Sequence, residues 1–109
     1  MRAAPAALAA LSLLPTTAAA DVQSERDQLI KELIRMGVFL KVEKPARLCR
    51  LYTGPRWPAA TIDQKRAFAN VVYSYCVTAD PSANIVIIRD GYSGKDIGEY
   101  SSYVGLKLQ

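Results

Sequence analysis

Two cysteines, Cys49 and Cys76, constrain this chain more than any other feature, because it contains no others. An even cysteine count in a small chain reads as a disulfide wherever the compartment is oxidising. The first twenty residues address that compartment. Arg2 gives a short positive start, Ala3 to Leu14 is an apolar run broken by Pro15, and Ala18-Ala19-Ala20 is the small-residue pattern that signal peptidase accepts. The run falls short of the roughly 20 apolar residues that a permanent membrane span needs. Residues 1–20 are therefore expected to be a cleavable signal peptide. Residues 21–109 are expected to be one small domain, periplasmic or extracellular after cleavage near Ala20. Taking residues 1–20 from the 109-residue chain leaves 89, enough for one domain and not two. A chain of that size buries about 60–65% of its unfolded surface, so its core is thin. A Cys49–Cys76 bond would add about 3–4 kcal/mol by the chain-entropy argument.

The pattern along the mature chain predicts helix, two strands, helix, then two or three strands. From Ser24 to Met36, Leu29, Ile30, Leu33 and Ile34 make one apolar stripe, with Ser24 and Asp27 as a capping pair and Gly37 as the stop. Val38 to Val42 and Arg47 to Thr53 alternate as strands on either side of a short connection. In the first of these, Val38, Leu40 and Val42 share one face and Phe39 and Lys41 the other. The loop Gly54-Pro55-Arg56-Trp57-Pro58 leads to a second helix beginning at Thr61, with Gln64 completing a capping box. Ile85-Val86-Ile87-Ile88 is apolar on both faces, the mark of a central strand. Arg89 to Lys95 reads as a hairpin loop, with Asp90, Gly91 and Gly94 supplying left-handed turn conformations. Short connections favour two helices packed on one face of a small, mostly antiparallel α+β sheet of four to five strands, in the order αββαββ.

Cys76 falls on the apolar stripe of the second helix. A bond to Cys49 would therefore turn Cys49, Leu51 and Thr53 toward the helices. Leu48, Arg50 and Tyr52 would then face away, joined by Lys41 and Phe39 of the neighbouring strand. That face is either a mixed aromatic and basic binding surface or one covered by a C-terminal segment or a dimer partner. Charge adds to the first reading. The net charge is +4, and between Lys41 and Arg66 seven basic residues meet only Glu43 and Asp63. The candidate binding surface is accordingly Lys41, Arg50, Tyr52, Arg56 and Trp57. Trp57 itself either seals the core under its loop or stands exposed beside Arg56, suited to a glycan, a peptide or an anionic headgroup.

Catalytic patterns are scarce. The chain has no histidine, which removes histidine-based hydrolase triads and histidine-ligated zinc. It has no Cys-x-x-Cys either. Gly91-Tyr92-Ser93-Gly94-Lys95 has the wrong spacing for a phosphate loop and leads into a strand, not a helix. No catalytic residue, cofactor or metal is expected, although Asp90, Tyr92, Ser93 and Lys95 form a candidate functional hairpin. The expected role is a non-catalytic exported domain that binds a protein partner or an anionic envelope polymer or lipid surface. The alternatives are a small hydrolase using Asp90, Asp96 or Glu99, and a secreted inhibitor or effector. Nucleic acid is not expected as a partner, since no base-reading motif is present. Nor is an integral membrane protein expected.

Overall fold

A computed structural model describes residues 20–109; the expected signal peptide lies outside the described residues except for Ala20. Residues 20–35 form helix α1. The expected Ser24 cap is not used, because the helix already runs through the preceding turn. Tertiary contact accounts for this extension. Gln23 Nε2 donates to the Tyr75 carbonyl at 2.8 Å, and the Arg26 guanidinium reaches the Thr78 hydroxyl at 3.2 Å. At the other end Gly37 terminates the helix as expected, with φ at 82°. Its N–H donates to the Ile34 carbonyl and that of Val38 to the Leu33 carbonyl, the paired bonds of a Schellman stop.

Five strands follow: β1 (Phe39–Glu43), β2 (Cys49–Thr53), β3 (Val86–Asp90), β4 (Asp96–Ser101) and β5 (Gly105–Leu108). They lie in the sheet in chain order, which makes β3 central as its two apolar faces predict. Three of the four pairings are antiparallel. The exception is β2 with β3, which run parallel from Cys49 opposite Val86 to Thr53 opposite Asp90. Helix α2 (Ile62–Ala79) makes that possible, because its length returns the chain to the end of the sheet at which β2 starts. The expected capping box opens α2: the Gln64 N–H donates to the Thr61 hydroxyl at 3.1 Å, and the Thr61 N–H to the Gln64 side chain at 2.8 Å.

Both helices cover one face of the sheet, and the core lies between the layers. Ile30 and Leu33 of α1, Ala69, Val72, Tyr73 and Cys76 of α2, and Leu51, Val86 and Ile88 of the sheet are all buried. The disulfide between Cys49 and Cys76 is formed, and neither residue is exposed to solvent. Cys49, Leu51 and Thr53 accordingly face the helices, and Arg50 and Tyr52 face away, as the cysteine argument requires. Further along, the Tyr100 hydroxyl donates to Asn70 at 2.9 Å, tying β4 to α2.

Strand β1 departs from simple alternation. Its register with β2 shifts between Phe39 and Lys41, a bulge that resets which face each side chain takes. Phe39 is therefore 1% exposed in the core, and Leu40 is half exposed. Phe39 thus leaves the outward face expected for it, whereas Lys41 stays there opposite Tyr52. The β1–β2 connection stores a little strain: Arg47 has φ at 63°, a left-handed conformation that favours glycine. Arg47→Gly is expected to raise stability by about 0.5–1 kcal/mol. A urea midpoint unchanged or lowered by the substitution would refute this.

Candidate functional site

The outward sheet face was expected to be basic and aromatic, but two of its cations, Lys41 and Arg89, are paired with acids. Lys41 lies 3.3 Å from the Glu43 carboxylate and 4.6 Å from the centre of the Tyr52 ring. The Tyr52 hydroxyl donates to Glu43 at 3.0 Å. That hydrogen bond, followed by the Lys41 ammonium, holds the Glu43 carboxyl below its ordinary range. Farther across, Arg89 Nε meets Asp96 at 2.7 Å, and Glu99 stands opposite Lys107. Arg50 belongs to this face, and its Nε is buried without a hydrogen-bond partner among the described residues. The result is a ladder of mixed sign. The C-terminal segment does not cover it, because it becomes edge strand β5.

Arg56 and Trp57 lie elsewhere. Trp57 is 3% exposed, its ring packed near Phe39, so it closes the core as one of the two expected readings has it. Arg56 is exposed, but on the α1 side of the same turn, where it borders a shallow hollow with Met36 and Phe68. The five candidate surface residues therefore do not form one continuous patch.

Trp57 does, however, form part of a cleft. The chain leaves the parallel pair at Thr53 and Asp90, and the two loops that follow stand apart at that end of the sheet. Between them lies a cleft of about 420 Å³ lined by Leu40, Thr53, Gly54, Pro55, Trp57, Pro58, Asp90, Gly91, Tyr92 and Ile97. One wall is the short turn Trp57–Ala59, stiffened by Pro58 at its start. The facing wall is the β3–β4 hairpin. Gly91 holds that wall in place, though not through the left-handed conformation expected of it, which only Gly94 of this loop adopts. Its N–H donates to the Thr53 carbonyl at 3.2 Å, and a Cβ there would lie 2.2 Å from that same oxygen. Glycine is needed for close approach.

At the hairpin tip Tyr92 is 99% exposed. Its backbone is nevertheless ordered by the Asp90 carboxylate. Asp90 accepts from the Ser93 hydroxyl at 2.7 Å, the Ser93 N–H at 3.1 Å and the Tyr92 N–H at 3.4 Å. These bonds, the Ser93 hydroxyl first, hold the Asp90 carboxyl below its ordinary value of 3.8. The charged form is the acceptor, so the loop gains its full support above about pH 4, where the unfolded carboxyl is also ionised. That support is lost as pH falls through the lower folded value. An NMR titration of the Ser93 amide should therefore show a midpoint below 3.8 that Asp90→Asn removes. A midpoint at or above that value would refute the arrangement.

Of the candidate hairpin, then, Asp90 and Ser93 build the loop, Tyr92 forms the lip of the cleft, and Lys95 is exposed in the same loop without lining the cleft. Sequence reasoning missed Leu40, Pro55, Pro58 and Ile97. The two prolines bracketing Trp57 were a usable signal of a rigid apolar wall. Leu40 gave none, because only the bulge brings it to the cleft. Among the described residues, no group of three His, Cys, Asp or Glu side chains is placed to hold a metal ion, and no helix is long and apolar enough to cross a membrane. Set against known protein families, curated proteins and solved structures, the chain matches none.

Proposed function

We propose that the chain is an exported, non-catalytic binding domain whose cleft seats an apolar side chain of a protein partner. The observation that carries this reading is the apolar cleft itself, set at the carboxyl ends of the parallel pair, with Tyr92 fully exposed at its lip. Ligands of open sheets gather at that end of parallel strands, where the loops diverge. Size also fits. An apolar cavity of about 150 Å³ accepts benzene, so one of about 420 Å³ accommodates a large aromatic or branched aliphatic side chain with its neighbours. Exposing an ordered tyrosine and leucine without a partner has no folding benefit, whereas both gain by burial at an interface.

The cleft's own polar groups favour binding over reaction. Its carboxylate, Asp90, is taken up by the hairpin, and Thr53 is hydrogen-bonded to Gly91. A protein partner is favoured over an anionic polymer because the sheet face pairs Lys41 and Arg89 with acids and leaves no continuous basic track. The buried disulfide and the signal-peptide pattern of residues 1–20 support export.

Selection of displayed random peptides on the oxidised protein tests the binding reading. Enriched peptides should share an aromatic or branched aliphatic anchor and lose binding to Tyr92→Ala and Leu40→Asp. Peptides that bind both variants as well as the parent would exclude the cleft. For export, protein recovered outside the cytoplasm should begin at Asp21, whereas full-length reduced protein retained inside would refute it.

A further inference from the structure

Both helices pack on one face of the sheet, and the C-terminal segment, as edge strand β5, leaves the other face open. The pairing registers align one residue from each strand in a row across that open face. Glu43 lies beside Arg50, Arg50 beside Ile87, Ile87 beside Glu99, and Glu99 beside Lys107. Their chain neighbours Val42, Leu51, Ile88, Tyr100 and Leu106 belong to the core or pack against it, so alternation turns the row outward. The row therefore reads acid, base, apolar, acid, base. Arg50, Glu99 and Lys107 take part in none of the ion pairs among the described residues.

A row in that order is complementary to its own reverse. A two-fold axis running along β3 lays the face on a second copy with the row reversed. Glu43 then meets Lys107 of the second copy, Arg50 meets its Glu99, and the two Ile87 side chains meet on the axis. In the next row the Tyr52 hydroxyl comes opposite Asp96. Arg89 meets its own copy there, a repulsion offset by the Asp96 carboxylate held 2.7 Å from each. The alternative two-fold runs across the strands and sets every residue of the row against itself, acid on acid and base on base. The order of charges thus selects both an occupant and an orientation. We propose that the open sheet face pairs with a second copy of this chain, strands aligned, with Ile87 at the centre and the Arg50–Glu99 contact made twice. Five strands about 4.8 Å apart and about five residues tall present roughly 400 Å² of projected face per copy. The total accessible area buried is then about 1,000 Å², the low end for specific association, so the dimer is reversible. This axis keeps strand direction, and the clefts of the two copies lie at the same end of the pair. The pairing does not depend on what those clefts bind.

Sedimentation velocity tests this on the oxidised chain from Asp21 onward, from low micromolar to near-millimolar concentration. A reversible monomer–dimer equilibrium that salt weakens is expected. Arg50→Glu and Glu99→Arg each bring like charges together twice, and each should raise the dissociation constant about tenfold. Mixing the two variants should restore the dimer, because each supplies the charge that the other has lost. In the unsubstituted protein, the Ile87 methyl signals should shift with concentration while those of Ile30, buried in the core, stay fixed. That readout needs no variant and stands whether or not the substituted chains fold. A chain that stays monomeric throughout would overturn the proposal. So would a dimer that leaves Ile87 unmoved, one indifferent to both substitutions, or two folded variants that mixing does not pair.

Discussion

Replacing Phe39 with alanine is expected to cost about 3–5 kcal/mol, the range for truncating a fully buried phenylalanine. The ring is 1% exposed and packs perpendicular to Phe68, with centroids 6.3 Å apart, and lies 6.5 Å from the Trp57 ring. Truncation leaves a cavity beneath the only tryptophan, which is poorly placed to collapse because Pro55 and Pro58 stiffen its turn. A domain of about 90 residues has a total stability of about 5–13 kcal/mol, so the loss is a large share of the whole. Urea unfolding followed by Trp57 emission measures it, and the folded variant's emission should shift to the red as water reaches the indole. Leu40→Ala is the informative control. Half exposed, it should cost less than about 1 kcal/mol. If the two costs were reversed, the bulge in β1 would be misplaced and the cleft would lose the wall that Leu40 forms.

The second large effect belongs to the disulfide. Cys49 and Cys76 are 27 residues apart in sequence, and a loop of that length gives about 3.5 kcal/mol by the chain-entropy argument. With a urea dependence of about 1–1.5 kcal/mol/M for so small a domain, reduction should lower the midpoint by about 2.3–3.5 M. The C49A/C76A double variant should fall by a similar amount plus a contribution from the lost packing of two buried sulfurs. Oxidised and reduced protein that unfold at the same urea concentration would show that the bond is not a staple. A loss of the expected size would instead remove a large share of the fold's stability in a reducing compartment, which is the physical link between the bond and the proposed export.

Legibility in the sequence followed the range of the interaction. Thr61 with Gln64 and the Gly37 stop could be read directly, because caps are satisfied within four residues. The assignment of sheet faces was also legible, since one covalent constraint, Cys49 to Cys76, orients every second residue of β2. What the sequence concealed was any feature decided by a neighbour in space. The bulge exchanges Phe39 and Leu40 because Phe39 finds Phe68 and Trp57, and no local pattern announces that. Helix α1 begins before Ser24 because Tyr75 and Thr78 hold its first turns. The cleft was hidden for the same reason. Leu40, Thr53, Trp57, Gly91 and Ile97 come from separate stretches of chain that meet only where the parallel strands end. The expected basic patch does not form as one surface because the turn after β2 carries Arg56 and Trp57 away from Lys41, Arg50 and Tyr52, and Glu43 takes up Lys41.

The parallel pairing of β2 with β3 also bears on how quickly the chain folds. Cys49 and Val86 must meet across the whole crossover, a closure that a reduced chain makes through 37 residues. In the oxidised chain the bond to Cys76 leaves only the segment from Cys76 to Val86 to be closed, a shortening worth about 1 kcal/mol of search entropy. Oxidised protein released from urea should accordingly refold several-fold faster than reduced protein. A chain that forms this bond early thereby spends less time with the strand edges of β2 and β3 open to other chains.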